Sequence, residues 1–422
     1  MPDVLTSSIE DAEEELYPCA ECGSGHEFLS DAEECCAVYC DCCGNRQDSS
    51  DSLYYNENYG GSLCEDCDAE HRYYCADCGS EHGSDEEAYD CCNSEEEFHG
   101  EMPYLAPVDD PYRVSVPAIE GRPARLCSLE QELASGGTMV ARLLYDIGVA
   151  DEPGKVQYHY GGSRRGRAHV EEDGSLPDAG GEVVFDRFNL SQDGHSTALS
   201  LALTKIRQLR DTPGRPVTTS YAAGIHVHIS ANAEDGTGFG ARDMAALYEL
   251  WSYAEDMLYS FSAAGWQRHR QPADSYSGYC KPVPKVEGAA GAAKVWRVMR
   301  SDRYFGLNFQ RLYSAVSRCS CGAATMGDWE ACDCGAFDGA TVEWRVFNSS
   351  TLPRTIHAWL LFAHAMTAHA KRHELGTLPV NEYGSSTREE KREVLNHLLD
   401  ILPLTEGEKD TILEAAGRSP GL

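Results

Sequence analysis

Apolar and polar positions alternate with a period of two at several places in the C-terminal three quarters of the chain. The most regular run is Thr341-Val342-Glu343-Trp344-Arg345-Val346-Phe347. It is rich in β-branched and aromatic residues and free of Gly and Pro, which predicts a strand. Side chains alternate across a strand, so Glu343 and Arg345 share one face and Val342, Trp344 and Val346 the other. The same reading predicts strands at Leu126–Leu133, Gly181–Phe185 and Ala223–Ile229, with another starting at Arg303–Asn308. Between them the period changes to helical. Leu199, Leu203, Ile206 and Leu209 mark one amphipathic helix over Ser196–Leu209, and Leu247, Trp251, Ala254 and Leu258 mark a longer one over about Ala241–Ala264. A third helix is predicted from Pro353 to Arg372, with His357, His364, His369 and His373 read as mostly solvated. Two tail helices follow capping boxes Ser386-x-x-Glu389 and Thr405-x-x-Glu408 and dock through Leu395, Leu398, Leu399 and Leu402.

The first hundred residues carry no such periodicity. They carry cysteine instead: 13 of the chain's 19 lie before residue 100. Residues 17–36 repeat as 73–92 with 10 of 20 positions identical. Each copy reads Cys-x-x-Cys-Gly-Ser-x-His and then a Cys-Cys pair, giving Cys19, Cys22, His26, Cys35 and Cys36 in one, and Cys75, Cys78, His82, Cys91 and Cys92 in the other. A Cys-x-x-Cys-Gly knuckle lets two thiolates grip one ion while Gly permits the tight turn. Whether His or the Cys pair completes each set is open. Between the copies, Cys40-x-x-Cys43 and Cys64-x-x-Cys67 stand 20 residues apart, the arrangement of a Cys₄ ribbon or treble-clef site. Cys319-x-Cys321 and Cys332-x-Cys334, ten residues apart, predict a fourth zinc site at a hairpin tip. So polar a segment as 17–100 cannot bury a core and needs metal to fold.

Charge narrows the partners. Residues 1–120 hold 32 acidic and 3 basic side chains, and the remaining 302 residues are close to balanced, with 37 and 32. A nucleic-acid backbone would repel so acidic a module, and zinc tetrathiolates, themselves anionic, do not reverse this. The N-terminus lacks the basic and apolar stretches of a signal peptide, and no run of about 18 apolar residues predicts a membrane span. With that Cys spacing, a reducing cytoplasm is expected. Five prolines in 101–123 predict an extended linker. The basic Gly-rich stretch Gly161–Arg167 is either a phosphate-covering loop or a solvated turn, and Lys281 and Lys285 lie in a Pro-rich loop.

The strands hold the chemistry. Glu130 with Glu132, His226 with His228, and Glu343 with Arg345 each project to one strand face, and Glu182 sits on a fourth strand. One such pair fits an ordinary ion pair on a solvated sheet. Four strands that all turn acids or His to one face describe a metal site inside a curved sheet, oxygen-rich and suited to Mg²⁺ or Mn²⁺, with an Arg suited to phosphate.

These blocks, LCSLEQEL (126–133), EEDGSLPDAGGEVVF (171–185), AGIHVHIS (223–230), SDRYFGLNF (301–309) and ATVEWRVFNSSTL (340–352), resemble in kind and order those of the amidoligase family, within the carboxylate–amine ligase superfamily of glutamine synthetase and γ-glutamylcysteine ligase. The resemblance covers about residues 124–372 and leaves out the Cys-rich parts. It implies an α+β fold, a glutamine-synthetase-like antiparallel half-barrel with outer helices, preceded by the small zinc-binding module. Domains follow at 1–100 (zinc module), 101–123 (linker), 124–375 (catalytic) and 376–422 (helical tail). The resemblance also implies a reaction, ATP-dependent amide or isopeptide formation through an acyl phosphate. Glu130, Glu132, Glu182, His228 and Glu343 would be metal ligands, with His226 orienting one of them. Arg345 would hold the transferred phosphate with Arg303 as a weaker candidate, and Asp173 would take the amine or a metal. The substrates would be a carboxylate and an amine, small or part of a peptide or protein. The competing class is a zinc-scaffolded interaction adaptor with an inactive ligase domain.

Overall fold

The structure is a computed structural model. It describes residues 102–158, 164–214, 217–219, 223–262, 280–285, 292–299, 302–312, 340–379, 386–419 and 422, together with short strands in 17–82. The chain divides into two units, Met1–Glu96 and Glu97–Leu422.

In the first unit the short strands pair as antiparallel hairpins: β1 (Tyr17–Pro18) with β2 (Gly25–His26), β3 (Val38–Tyr39) with β4 (Arg46–Gln47), β5 (Leu53–Asn56) with β6 (Gly61–Cys64), and β7 (Tyr73–Tyr74) with β8 (Glu81–His82). Three of the Cys-x-x-Cys pairs thus fall between the two strands of a hairpin, and Cys64 of the fourth pair closes β6. The side chains expected to hold zinc there, and those of Cys319, Cys321, Cys332 and Cys334, lie outside the described residues.

The second unit is built on an open antiparallel sheet. Its strands are β9 (Arg125–Leu133), β10 (Arg167–Glu171), β11 (Gly181–Asn189), β12 (Gly224–Ala233), β13 (Leu307–Asn308) and β14 (Thr341–Asn348). Their order across the sheet is β10-β11-β9-β12-β14-β13. One face is apolar. Leu129, Val183, Ile225, Val227, Val342 and Trp344 are buried there, and helices cover them. Trp251 of α3 (Ala241–Phe261) packs on Trp344 at 5.2 Å between ring centroids, and Trp359 of α5 (Pro353–His369) stacks on Phe347 at 4.9 Å. Such pairs each add about 0.5–1.5 kcal/mol beyond area burial. Helices α1 (Gly137–Asp146), α2 (Asp193–Asp211), α4 (Ala292–Met299), α6 (Arg388–Ile401) and α7 (Glu406–Ala416) complete the described helices.

Strict alternation along β14 would turn Phe347 to the face of Glu343. A register shift intervenes: Val227 pairs with Trp344 but Ile225 pairs with Phe347, so Arg345 and Val346 together oppose His226. This bulge keeps Arg345 beside Glu343 and returns Phe347 to the core. The expected strand at 303–308 is shorter than its pattern, with only Leu307 and Asn308 laddered to β14.

Three further expectations change. The first tail helix is capped one residue later than read, by Thr387 with Glu390; Thr405 with Glu408 caps the second as expected. His357, His364 and His373 on and after α5 are buried, not solvated. His357 joins Tyr112 at 3.0 Å, and His373 Nε2 lies 2.9 Å from Glu249. The Pro-rich stretch holds no helix or strand, yet it packs on the body. Val114 and Val116 are fully buried, and their backbone N–H groups donate to Ser200 Oγ and the Leu190 carbonyl. Arg122 is buried too, bonded to the Pro117 and Pro403 carbonyls and paired with Glu408 of α7.

Candidate active site

The other face of the sheet is polar, and cross-strand register assembles it. Glu182 stands opposite Glu132, and Glu130 opposite His226. His228 stands opposite Glu343, and Glu343 opposite Asn308. Residues opposite one another in an antiparallel ladder point to the same face with Cβ atoms about 5 Å apart. Four sequence-distant strands therefore deliver Glu130, Glu132, Glu182, His226, His228 and Glu343 to one patch.

The His226 ring is its centre. Its Nδ1 lies 3.1 Å from Glu130 Oε2 and 4.0 Å from both Glu182 Oε1 and Glu343 Oε1, and its Nε2 lies 3.6 Å from Glu132 Oε1. Two sets of ligand atoms close enough for one ion each result: Glu130, His226 and Glu343, and Glu132, Glu182 and His226. The sequence reading gave His226 an orienting part and His228 a ligand's part; the geometry puts His226 in both sets. His228 lies beside them, with Nε2 at 3.1 Å from Glu130 Oε2 and Nδ1 at 3.3 Å from Thr341 Oγ1. Nε2 of both rings is buried and makes no aligned hydrogen bond within the protein.

Neighbours hold the carboxylates in place. Glu343 accepts from Arg345 on one oxygen and from Asn308 Nδ2 at 2.7 Å on the other. Glu132 accepts from the Gly224 backbone N–H. Burial pushes Glu130 up, but His228 and His226 outweigh it and hold its carboxyl well below the usual range. Burial likewise raises Glu343, and His228, Arg345 and His226 bring it below the ordinary value. Glu182 pairs with no Arg or Lys among the described residues. Burial first, then the charges of Glu130, Glu132, Asp173 and Glu171, push it well above the usual carboxylate range. Burying like charges together is costly unless a counter-charge joins them. The donor set is oxygen-rich with shared imidazole, and the ring nitrogens lie 3.1–4.0 Å from carboxylate oxygens. It fits hard divalent cations such as Mg²⁺ or Mn²⁺.

Several residues of the patch were not singled out in sequence. Glu171 pairs with Glu182 across β10 and β11, so Glu171, Glu182 and Glu132 form one row of buried acids. His169 Nε2 lies 2.8 Å from Glu171 Oε1. The alternation of His169 and Glu171 with Ala168 and Val170 was the available signal, hidden by reading Gly161–Arg167 as a loop that ran on. Arg167 in fact opens β10. The arginines of that stretch are engaged elsewhere. Arg164 and Arg167 pair with Asp151, and Arg165 with Glu234.

Arg303 lies at the rim over the Tyr304 ring, 4.8 Å from its centroid. Asp173 sits in a turn where its Oδ1 accepts from the Ser175 N–H at 2.8 Å and hydroxyl at 2.9 Å, and its charge reaches Glu182 and Tyr158. Lys281 and Lys285 pair with Asp302 and Glu255.

No protein-family model matches the chain, and no curated protein matches it. A crystal structure described as a novel glutamine synthase homolog overlays on 71% of this chain at 11% sequence identity, with a TM-score of 0.30. The chain spans 65% of that protein's length. The overlay is loose. Among the described residues no helix is long and apolar enough to cross a membrane.

Proposed function

We propose that the polar face of the sheet is the active site of an ATP-dependent carboxylate–amine ligase. The observation that carries this reading is the buried carboxylate–imidazole cluster with a guanidinium set into it: Glu343 lies between Arg345 and Asn308 while facing His226. An isolated structural ion pair needs one acid. Five buried or nearly buried glutamates around two imidazoles need cations, and an Arg at their edge suits a phosphate that arrives with them.

In this reading Glu130 and Glu343 would hold one divalent ion and Glu132 and Glu182 a second, with the single lone pair of neutral His226 given to one of them and with His228 and Glu171 beside them. When bound there, such ions would supply positive charge against the β- and γ-phosphates. The chain's own residues do the rest. Arg345 orients the γ-phosphoryl group and stabilises its equatorial oxygens. A substrate carboxylate oxygen attacks the γ-phosphorus, the bond to the β-phosphate oxygen breaks, and ADP departs with the electron pair. The amine nitrogen then attacks the acyl carbon, the C–O bond to phosphate breaks, and the nitrogen loses a proton to a carboxylate, a role we give to Asp173, whose charge acts on Glu182. The carboxylate is a poor electrophile until phosphate becomes its leaving group, which is why ATP is consumed.

The Cys pairs of 17–100 and 319–334 are assigned to structural zinc, and the setting to the cytoplasm. The carboxylate and amine are a small molecule or a peptide end.

Hydroxylamine is a small surrogate amine that captures acyl phosphates as hydroxamates. Purified protein with Mg²⁺, ATP, hydroxylamine and a panel of carboxylates should release ADP and hydroxamate in equal amounts with at least one of them. The adaptor alternative requires no ADP above the background of Glu343→Gln across the panel.

A further inference from the structure

Beside the polar face of the sheet three cations gather on one aromatic ring. Arg303 Cζ lies 4.8 Å, Arg345 Cζ 5.8 Å and Lys281 Nζ 5.9 Å from the Tyr304 centroid. Arg303 also donates to the Tyr304 hydroxyl at 2.8 Å. Like charges this close repel, and the negative face of a tyrosine ring offsets only part of that repulsion. The backbone fixes the group. Lys281 N donates to the Tyr304 carbonyl at 2.6 Å, Gly306 N to the Lys281 carbonyl at 2.8 Å, and Arg345 N to the Gly306 carbonyl at 2.8 Å. Gly306 allows this because a Cβ there would lie 2.9 Å from both Trp251 and the Tyr259 hydroxyl. Three segments distant in sequence are thus stitched into one platform.

The acids near the platform offset two of its three charges and leave the third. Asp302 accepts from Lys281 at 2.7 Å and is itself held by the Tyr304 N–H. Glu343 takes the inner side of Arg345. Arg303 is exposed and its guanidinium meets no carboxylate within ion-pair distance among the described residues. Charge is therefore graded from the acidic cluster, through Arg345, to exposed Arg303, with Lys281 sharing its charge with Asp302 beside it.

We infer that Lys281, Arg303 and Arg345, gathered on Tyr304, form one clamp for a polyphosphate chain, with Tyr304 as its positioning residue. The inference rests on the ligase reading for its substrate, ATP, but the clamp is a binding property that exists without turnover. Spread over three cations on a common ring, it fits a linear chain of phosphates better than one isolated phosphate. Arg345 takes the end nearest the carboxylate cluster, and Arg303 and Lys281 take the outward part.

The test is calorimetric titration of the full-length protein with inorganic tripolyphosphate in the presence of Mg²⁺, alongside inorganic phosphate. Wild type should bind tripolyphosphate at least tenfold tighter than phosphate. Tyr304→Leu removes the ring and should weaken tripolyphosphate binding about tenfold or more, equivalent to about 1.4 kcal/mol. Tyr304→Phe keeps the ring and loses only the hydroxyl, and should stay within about threefold of wild type. Lys281→Gln should weaken binding with unchanged melting temperature, which keeps the clamp testable if Tyr304→Leu does not fold. Wild-type affinity in both Tyr304→Leu and Lys281→Gln overturns the clamp. So does absence of tripolyphosphate binding in a protein that releases ADP, which leaves the ligase reading intact. Tripolyphosphate binding that depends on Tyr304, in a protein that forms no ADP with any carboxylate, supports the clamp and removes the ligase reading.

Discussion

Replacing Glu343 by Gln tests the site through stability as well as turnover. The substitution keeps size and hydrogen-bonding capacity and removes one charge. In the structure that charge faces Arg345, whose side chain is 13% exposed, and accepts from Asn308 at 2.7 Å. A hydrogen bond to a charged group contributes about 1.5–3 kcal/mol, and stranding a buried charge costs up to about 3–5 kcal/mol. Two effects reduce the loss. The glutamine oxygen still accepts from one neighbour, and the charges of Glu132 and Glu130 also act on Arg345. We expect a loss of about 2 kcal/mol in the metal-free protein, or about 4 °C for a unit of this size. Glu182→Gln is the same chemical change in the opposite setting. Glu182 stands between Glu132 and Glu171 in register, with the His226 ring at 4.0 Å and no Arg or Lys within ion-pair distance among the described residues. Removing its charge relieves repulsion, so the metal-free melting temperature should not fall. Both variants should lose the stabilisation that saturating Mg²⁺ and ATP give wild type, about 2.7 kcal/mol at a hundredfold excess over Kd. Differential scanning calorimetry in magnesium-free buffer, without chelator so that zinc stays bound, reads all three. The reasoning is refuted if Glu343→Gln melts with wild type and keeps its Mg-ATP shift while Glu182→Gln unfolds.

Other outcomes follow from the same packing. Val346→Asp places an unpaired charge in a fully buried position and should yield insoluble or unfolded protein, seen by circular dichroism of the soluble fraction. A chain starting at Gly121 discards buried Val114 and Val116 and the Tyr112–His357 bond, and should melt lower than one starting at Met102; equal melting would make the Pro-rich stretch a free linker. Burial, with Arg122 and Arg125 nearby, pushes fully enclosed His364 down to about 3. The unfolded chain therefore takes up this proton first as pH falls below about 6.5, and stability should drop by about 1.4 kcal/mol per pH unit from this group until the folded value is reached. His364→Leu should lose less stability than wild type between pH 7 and pH 5 in urea melts. Elemental analysis should find about four zinc ions per chain, one for each four-ligand set; one or none would return the Cys pairs to another role.

The strand faces were legible because period-two patterning needs no partner. Glu130 with Glu132, His226 with His228, and Glu343 with Arg345 could be put on common faces from the sequence alone. What sequence could not supply was register. The bulge opposite His226 depends on how β12 meets β14, and the row Glu171, Glu182, Glu132 exists only once β10, β11 and β9 are laid side by side. The buried histidines were misread for a related reason. The apolar stripe of α5 is wide because the helix is covered on nearly all sides, and the partners of His357, His364 and His373 (Tyr112, the Arg125 carbonyl and Glu249) lie more than a hundred residues away in the chain. The capping box slipped by one because Ser386-x-x-Glu389 and Thr387-x-x-Glu390 overlap and both satisfy the pattern; the chain uses the second. The Pro-rich stretch has the composition of a spacer, yet it supplies two valines to the core, which composition alone does not disclose.

The central claim is that the buried carboxylates around His226 hold divalent ions for ATP. Mn²⁺ is a spectroscopic substitute for Mg²⁺, and thiolate sites are poor hosts for it. Electron paramagnetic resonance titration of the zinc-loaded protein with Mn²⁺ and ATP should find two bound ions per chain, matching the two ligand sets. Glu182→Gln should lose one of them, and Glu343→Gln should weaken the other. Wild type that binds no Mn²⁺ beyond what free ATP carries, or binds the same number in both variants, would contradict the account.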